Sequence, residues 1–441
     1  MAWSGPALAQ SLGQTESPKS VARAGTSTVS SDSGAALMHN PGAMIRRSQV
    51  RLILSGTILD SDLSYESDDT SPASINRASP VAAPLLAYHH GNERGTWVLG
   101  ALFRRGRDEV SQATPAFGQP ADDISQLFPH RYGGTHYQSQ WRQFAVGGAV
   151  RVGDSLGIGL SLSLTQRRLQ ETRRIWAGFD GRDVLLSPGR DLELSLDASD
   201  DFAAGASVGM LFAPLDIPLE FALSGEYKQG ANFEGGRARL TPTTASEFPL
   251  PSDNGGRASL DFADTLIVRT GLRYLGQRSS LEVGADLLLE LGTSADTWSL
   301  QNIALTDDSG LNVALDSAHA LSSQRDHFAL RAAYDYEAVL GFLWLTAGYS
   351  YHSAEVSLHK FTPVFAKLGG HTGALGIEAY YDRFTLNFGV ARRLARERTL
   401  SGAQAGQQVI NPFDAGTATL GAGQYTSSAT QVGVSLEVTW P

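Results

Sequence analysis

The sequence predicts an all-β protein, an antiparallel transmembrane β-barrel of about fourteen strands, and three observations carry that expectation. From about residue 49 onward, apolar residues alternate with polar or small ones at period two, as strands require when one face meets an apolar medium. Most alternating segments reach or exceed the roughly 9–11 residues of a tilted membrane span, whereas strands of soluble proteins run about 5–6. The connections between segments alternate long and short, and the strand count is even; a soluble sandwich has no reason to show either.

Composition fits that class and few others. Hydrophobic residues make up 42% of 441, yet no eighteen run together, so no transmembrane helix is available. Cysteine is absent, which excludes a disulfide scaffold, a thiolate metal site and a cysteine nucleophile. A net charge of −10, with no basic block interleaved with aromatics, argues against a nucleic-acid partner. Neither a cofactor nor a metal is expected.

Residues 1–9 read as the remnant of a signal peptide. Ala7-Leu8-Ala9 before Gln10 has the small-x-small form of a cleavage site, but the basic and apolar stretches that belong before it are missing, as if the start had been assigned too late. A tail that happens to contain alanines is the alternative. Residues 10–48 are small and polar, with Ala24-Gly25-Thr26-Ser27 and then a run from Ser31 to Met44. This stretch is either a linker or a compact plug threaded into the barrel lumen, where small side chains admit close backbone packing and Asn40-Pro41 sets a turn.

The barrel occupies 49–441. Its strands are expected near 49–66, 81–90, 96–105, 140–152, 155–170, 201–213, 217–234, 262–276, 278–293, 324–338, 341–358, 370–381, 383–393 and 429–440. The pattern is clearest where Leu156, Ile158, Leu160, Leu162 and Leu164 alternate with glycines and serines, and where Val432, Val434, Leu436, Val438 and Trp440 alternate with polar residues. Aromatics near strand ends, among them Tyr65, Trp97, Phe212, Tyr334 and Trp440, suit an interfacial girdle. Ile303–Leu305 and Leu311–Leu315 flank Asp307-Asp308-Ser309-Gly310 and are read as a loop excursion, with a sixteen-stranded barrel as the alternative.

Little in the chain points to catalysis. Gly205-Ala206-Ser207-Val208-Gly209 matches a nucleophile elbow but lies inside an alternating strand, where the required strand-turn-helix context is missing. His89 and His90 are adjacent, so on a strand they face opposite ways and cannot share a metal. Glu171, Asp191, Glu193 and Asp200 read as a solvated charged loop. More informative are Arg269, Arg273 and Arg331, which strand parity turns into the lumen. They belong either to a salt-bridge network, with Glu282, Asp286, Glu290 and Asp335 as partners, or to a site that pairs with a substrate carboxylate.

The small-residue segment before the first strand resembles a known family. Asp32, then small residues, then Asn40-Pro41-Gly42-Ala43-Met44, is similar to the hatch of the FadL/TodX family of outer-membrane transporters for long-chain fatty acids and other hydrophobic compounds. Asp32, Asn40, Pro41 and Met44 match, while Gly42-Ala43 reverses the family's Ala-Gly order. The Gly423-Gln424-Tyr425-Thr426-Ser427-Ser428 lead into the final strand is similar too, and Pro441 departs from a chain that stops on the aromatic. The resemblance implies a fourteen-stranded barrel closed by an N-terminal hatch gate at Asp32, Asn40, Pro41, Gly42 and Met44. It also implies capture in a groove of the third and fourth extracellular loops, which correspond by order to 171–200 and 235–261, with lateral release past a kink in the third strand. The apolar residues of those loops, Ile175, Trp176, Phe179, Leu185, Leu186, Phe233, Phe248 and Leu250, would bury an acyl chain at about 0.8 kcal/mol per methylene, or pack on one another to close the barrel top.

The expectation is thus a non-enzymatic, monomeric protein of the bacterial outer membrane that takes up hydrophobic molecules passively. Its partners would be a fatty acid or hydrocarbon ligand, outer-membrane lipid and the barrel assembly machinery. A diffusion porin for polar solutes and a surface adhesin are the alternatives.

Overall fold

A computed structural model describes residues 17–31, 35–46, 49–66, 74–92, 96–111, 132–178, 188–243, 250–306, 309–321, 325–357, 360–362, 364–366, 368–413, 419–420 and 422–440. The proposed signal remnant lies outside them. Strands β1 (Val50–Glu66), β2 (Ser74–Gly91), β3 (Trp97–Ser111), β4 (His136–Val152), β5 (Leu156–Trp176), β6 (Asp191–Phe212) and β7 (Leu219–Lys228) pair in sequence. Two further strands, β8 (Asn232–Pro242) and β9 (Leu250–Asp261), precede β10 (Asp264–Leu275), which pairs with β7. Next come β11 (Ser279–Leu291), β12 (Thr297–Thr306), the three-residue β13 (Asn312–Ala314) and β14 (Ser317–His319), and β15 (His327–Val339). The wall continues through β16 (Leu343–His352), β17 (Gly370–Tyr381) and β18 (Phe384–Ala395). After the short β19 (Arg398–Leu400), β20 (Gln407–Gln408) and β21 (Thr419–Leu420), β22 (Gly423–Trp440) pairs with β18 and closes onto β1 from Val50↔Trp440 to Glu66↔Gln424.

The closed ring is β1–β7, β10, β11, β15–β18 and β22, fourteen strands, each antiparallel to both neighbours. Full closure removes the exposed edges that would otherwise pair at random. Tight turns, including one at Asp382 with φ 54° and one at Gly341 with φ 66°, join strands at one end; the long connections leave from the other. The outer face is apolar, with Leu54, Ile58, Leu160, Leu162, Val208 and Leu375 among many exposed aliphatic side chains. Inward neighbours such as Ser161, Ser163, Ser207 and Thr265 are polar and buried, the arrangement a lipid-embedded barrel demands.

The excursion reading holds at 303–315. β12 pairs with β13, β14 and β9 but with none of the barrel strands, so the barrel keeps fourteen strands. Other expectations need correction. The strand expected at 217–234 stops at Lys228, and 232–242 belongs to a separate strand. The segments 171–200 and 235–261, expected as loops, are largely strands: β5 runs on to Trp176, β6 begins at Asp191, and β8 pairs with both β6 and β9. Likewise β2, β3, β4 and β22 extend beyond their expected bounds, while β16 ends at His352 instead of residue 358. The ladders continue above the point where lipid stops, and there the outward side chains no longer need to be apolar, so the outward-apolar phase of the alternation ends before the strands do.

Candidate functional site

The chain's own N-terminal segment lies in the bore, packed against the wall. Helix α1 (Pro18–Ala22) starts with Ser17 as N-cap, its Oγ accepting from the Ser20 amide at 3.2 Å, and with proline in the first turn. Ala24 (φ 50°) and Gly25 (φ 84°) then end the helix in left-handed backbone. A second short helix, α2 (Ala36–His39), leads through Asn40 into a 3-10 turn over Pro41–Arg46. Val29, Leu37, Met44 and Ile45 pack with Ile53, Leu102 and Leu211 of the wall.

Three inward serines satisfy the carbonyls that α2 leaves open at its C-terminal end. Ser161 of β5 donates to Leu37 O at 2.5 Å, Ser207 of β6 to Met38 O at 3.4 Å and Ser224 of β7 to His39 O at 2.5 Å. Asn40, fully buried, uses both ends of its amide: Nδ2 donates to Thr28 O (2.9 Å) and Met210 O (3.1 Å), and Oδ1 accepts from the Gly42 amide (3.1 Å). Backbone approaches backbone here. A Cβ on Gly159 would strike Pro41, one on Gly209 would strike Asn40 Oδ1, and one on Gly42 would come within 2.6 Å of Gly209 O. Met44 is buried with its Cε over Gly100. Asn40, Pro41 and Gly42 of the expected gate therefore lie together against β5 and β6, Met44 packs against β3, and Asp32 lies outside the described residues.

Charge fixes the rest of the segment. Arg23 pairs with Asp335 through Nη1 and with Glu282 through Nη2 at 2.5 Å. The other Glu282 oxygen accepts from the Val29 amide at 2.9 Å. Arg46 pairs with Glu220 at 2.5 Å and Lys19 with Glu378 at 3.0 Å. These three tethers escaped the sequence reading because their partners lie some 170–360 residues away. Basic residues spaced through a small-residue segment were the available signal. His39 is buried with Nδ1 2.8 Å from Ser27 Oγ, and burial, reinforced by Arg269, pushes its pKa down to about 3.

The lumenal arginines are already matched by wall carboxylates. Arg269 pairs with Glu226 at 2.6 Å, and Arg331 with Asp286 at 2.9 Å while donating to Ala24 O at 3.3 Å. Arg273 lies 3.7 Å from Glu220 and donates to Ser280 Oγ at 3.0 Å. His89 and His90 do face opposite ways, His89 inward beside Arg51 at 3.1 Å and His90 outward near Trp97. Ser207 of the Gly-x-Ser-x-Gly motif lies mid-strand under the α2 carbonyls.

Above the plug the interior changes character. Ile175, Leu192, Leu194, Leu196, Phe233, Leu240, Trp298 and Leu305 belong to one buried apolar cluster, with Phe233 6.5 Å from the Trp298 ring. Trp176 turns away into a separate group with Tyr132, Val409 and Leu420. Phe179, Leu185, Leu186 and Phe248 lie outside the described residues, and Leu250 opens β9 opposite Thr306. Glu171, expected as solvated, is buried instead, accepting from Trp298 Nε1 at 2.9 Å and the Leu321 amide at 3.0 Å. The longest interruption among the described wall seams is between β2 and β3, which pair up to Ala78↔Val110 and resume at Leu85↔Arg104. Pro80 and Pro84, which have no N–H to donate, fall in the gap on β2. The β3–β4 ladder is continuous from Trp97 to Ser111.

A barrel of this strand number, with its own N-terminal segment packed inside, matches known structures over almost its whole length. It superposes on a FadL homologue of Pseudomonas aeruginosa with TM-score 0.68 at 12% identity, covering 97% of this chain and 99% of that one. The fold is that of the FadL and TodX barrels. The toluene transporter TodX of P. putida gives TM-score 0.65 at 14% identity (97% and 99% covered), and the toluene transporter TbuX of Ralstonia pickettii 0.60 at 13% (97% and 99%). No protein-family model and no curated protein matches the sequence. The FadL-type architecture is thus conserved where fewer than one residue in six is shared, as expected when a closed barrel is specified by alternation and not by particular side chains.

Proposed function

We propose that this protein sits in the bacterial outer membrane and passes hydrophobic molecules inward without an energy source, with the N-terminal segment as the hatch. The observation that carries the reading is vertical order inside one bore: an apolar interior at the long-loop end, and below it a plug held by polar contacts. A hydrophobic solute gains about 0.8 kcal/mol per methylene on leaving water for the upper region. A hydrated sugar gains nothing there and meets the plug. The solved barrels of this fold described as toluene transporters favour the same solute class. The interrupted β2–β3 seam, where a wall needs fewest hydrogen bonds broken, is the exit we assign for lateral release.

Uptake of labelled toluene and oleate by cells lacking their own outer-membrane transporters, with a small sugar as control, tests this reading. Hydrophobic uptake without sugar passage, altered by Asn40→Ala with Pro41→Ala, is the expected result. Sugar passage without hydrophobic uptake would reassign the chain as a porin.

A further inference from the structure

On the outer surface, at the level where the apolar belt ends, the barrel presents an unsatisfied basic groove. Across β3, β4, β5 and β6 the last apolar row is Phe103↔Phe144↔Leu164↔Ala204, all exposed. Two residues higher, about 6–7 Å along the strands, the row becomes Arg105↔Arg142↔Gln166. Arg105 and Arg142 are direct cross-strand partners, both exposed, an arrangement that is destabilising unless an anion lies between them.

Arg105 and Arg142 line one groove of about 530 Å³, together with Gln166, Arg168 and Arg237. Its acidic members are engaged: Asp197 accepts from Arg168 through both oxygens, Asp201 accepts from Gln166 at 3.1 Å, and Glu234 accepts from Asn232 at 3.0 Å.

We propose that this groove binds the phosphate groups of a phosphorylated lipid in the outward-facing membrane leaflet. Arginine forks match phosphate oxygens in pairs. The height fixes the source, because the groove begins where lipid-facing side chains end and headgroups begin. The inference rests on the proposed orientation, with the long connections outside. The lipid serves as a wall ligand that neutralises the Arg105–Arg142 pair.

Native mass spectrometry of the purified full-length barrel tests this, using a bis-phosphorylated glucosamine-disaccharide lipid, its dephosphorylated form, and inorganic phosphate as competitor. The wild type is expected to retain the bis-phosphorylated lipid and not the dephosphorylated one. Retention should fall by at least about tenfold in Arg105→Gln with Arg142→Gln, at wild-type heat-modifiable mobility, and stay unchanged in Arg167→Gln, whose side chain faces the bore. Equal retention of the dephosphorylated lipid, undiminished retention in the Arg105→Gln with Arg142→Gln variant, or displacement by equimolar inorganic phosphate would overturn the proposal. Hydrocarbon uptake is measured in parallel. Its absence in a wild type that still retains the lipid would sink the transport reading and leave this site standing.

Discussion

Strand β6 shows two regions of this molecule in one element. From Ala203 to Leu211 its odd-numbered residues, among them Ser207 and Gly209, face the bore, and Val208 and Phe212 face outward. From Leu192 to Ala198 the even residues are inside, and they are leucine, leucine, leucine and alanine, while Glu193, Ser195 and Asp197 turn out. An extra residue near Asp200–Ala203, opposite Thr165–Arg167, produces the exchange. The lower barrel is apolar outside and polar inside; the upper barrel is the reverse. The difference teaches that the surrounding medium sets the pattern. Where lipid gives way to water, the strand turns its leucines inward, and that creates an apolar interior above a polar one.

The largest effects should come from breaking the polar lower region. Losing one partner of a buried pair costs about 3–5 kcal/mol. Arg23→Met removes the cation that Glu282 and Asp335 share and leaves Asp335 only the longer Arg273 contact at 3.9 Å, so the N-terminal segment should be unseated and planar-bilayer conductance should rise by roughly 10²-fold or more. Trp298→Ala acts on the upper region. It removes a large buried ring and one of the donors to Glu171, at a cost of about 3–5 kcal/mol. Hydrocarbon uptake and the temperature of the heat-induced gel shift should both fall while conductance stays at the wild-type level. If both variants leaked alike, the two regions would not be separable.

Much of this was legible in the sequence, and the rest failed for identifiable reasons. Fourteen strands could be counted because lipid enforces alternation on each, as in Leu156–Leu164. The small residues facing inward on β5 and β6 were visible too, though only the structure shows that Gly159 and Gly209 make room for Pro41 and Asn40. The alternation Leu192, Leu194, Leu196 was equally regular, but it stood out of phase with the strand below and was read as loop. Arg23, Lys19 and Arg46 were missed because an ion pair across the lumen leaves no local trace. Trp298 was missed because a single aromatic in an excursion looks like any other.

Smaller changes sharpen the contrast. Gly209→Ala places a methyl against Asn40, an overpacking worth about 1–3 kcal/mol. It should raise maleimide labelling of an Ala43→Cys reporter from the short-turn side, with the barrel's own thermal stability unchanged. The smallest effect is a pH dependence. His39 packs near Arg269, Arg331, Glu226 and Asp286, and stays neutral in the docked segment down to about pH 3. A released histidine protonates near 6.5. Because the docked value is the lower one, His39 favours docking fully above about 6.5 and progressively less as pH falls toward 3. Labelling of the same reporter, taken relative to a freely exposed cysteine at each pH because only the thiolate reacts, should therefore rise on acidification from pH 7 to 5, and His39→Gln should flatten that rise.

The central claim is that solute passes only when the N-terminal segment moves. With no native cysteine in the chain, Leu37→Cys with Ser161→Cys places a pair where the serine hydroxyl now reaches the Leu37 carbonyl at 2.5 Å. Hydrocarbon uptake by this variant, oxidised and then reduced, is the decisive measurement. The account predicts that uptake is abolished while the disulfide holds and restored on reduction. Unchanged uptake with the segment locked in place would contradict it.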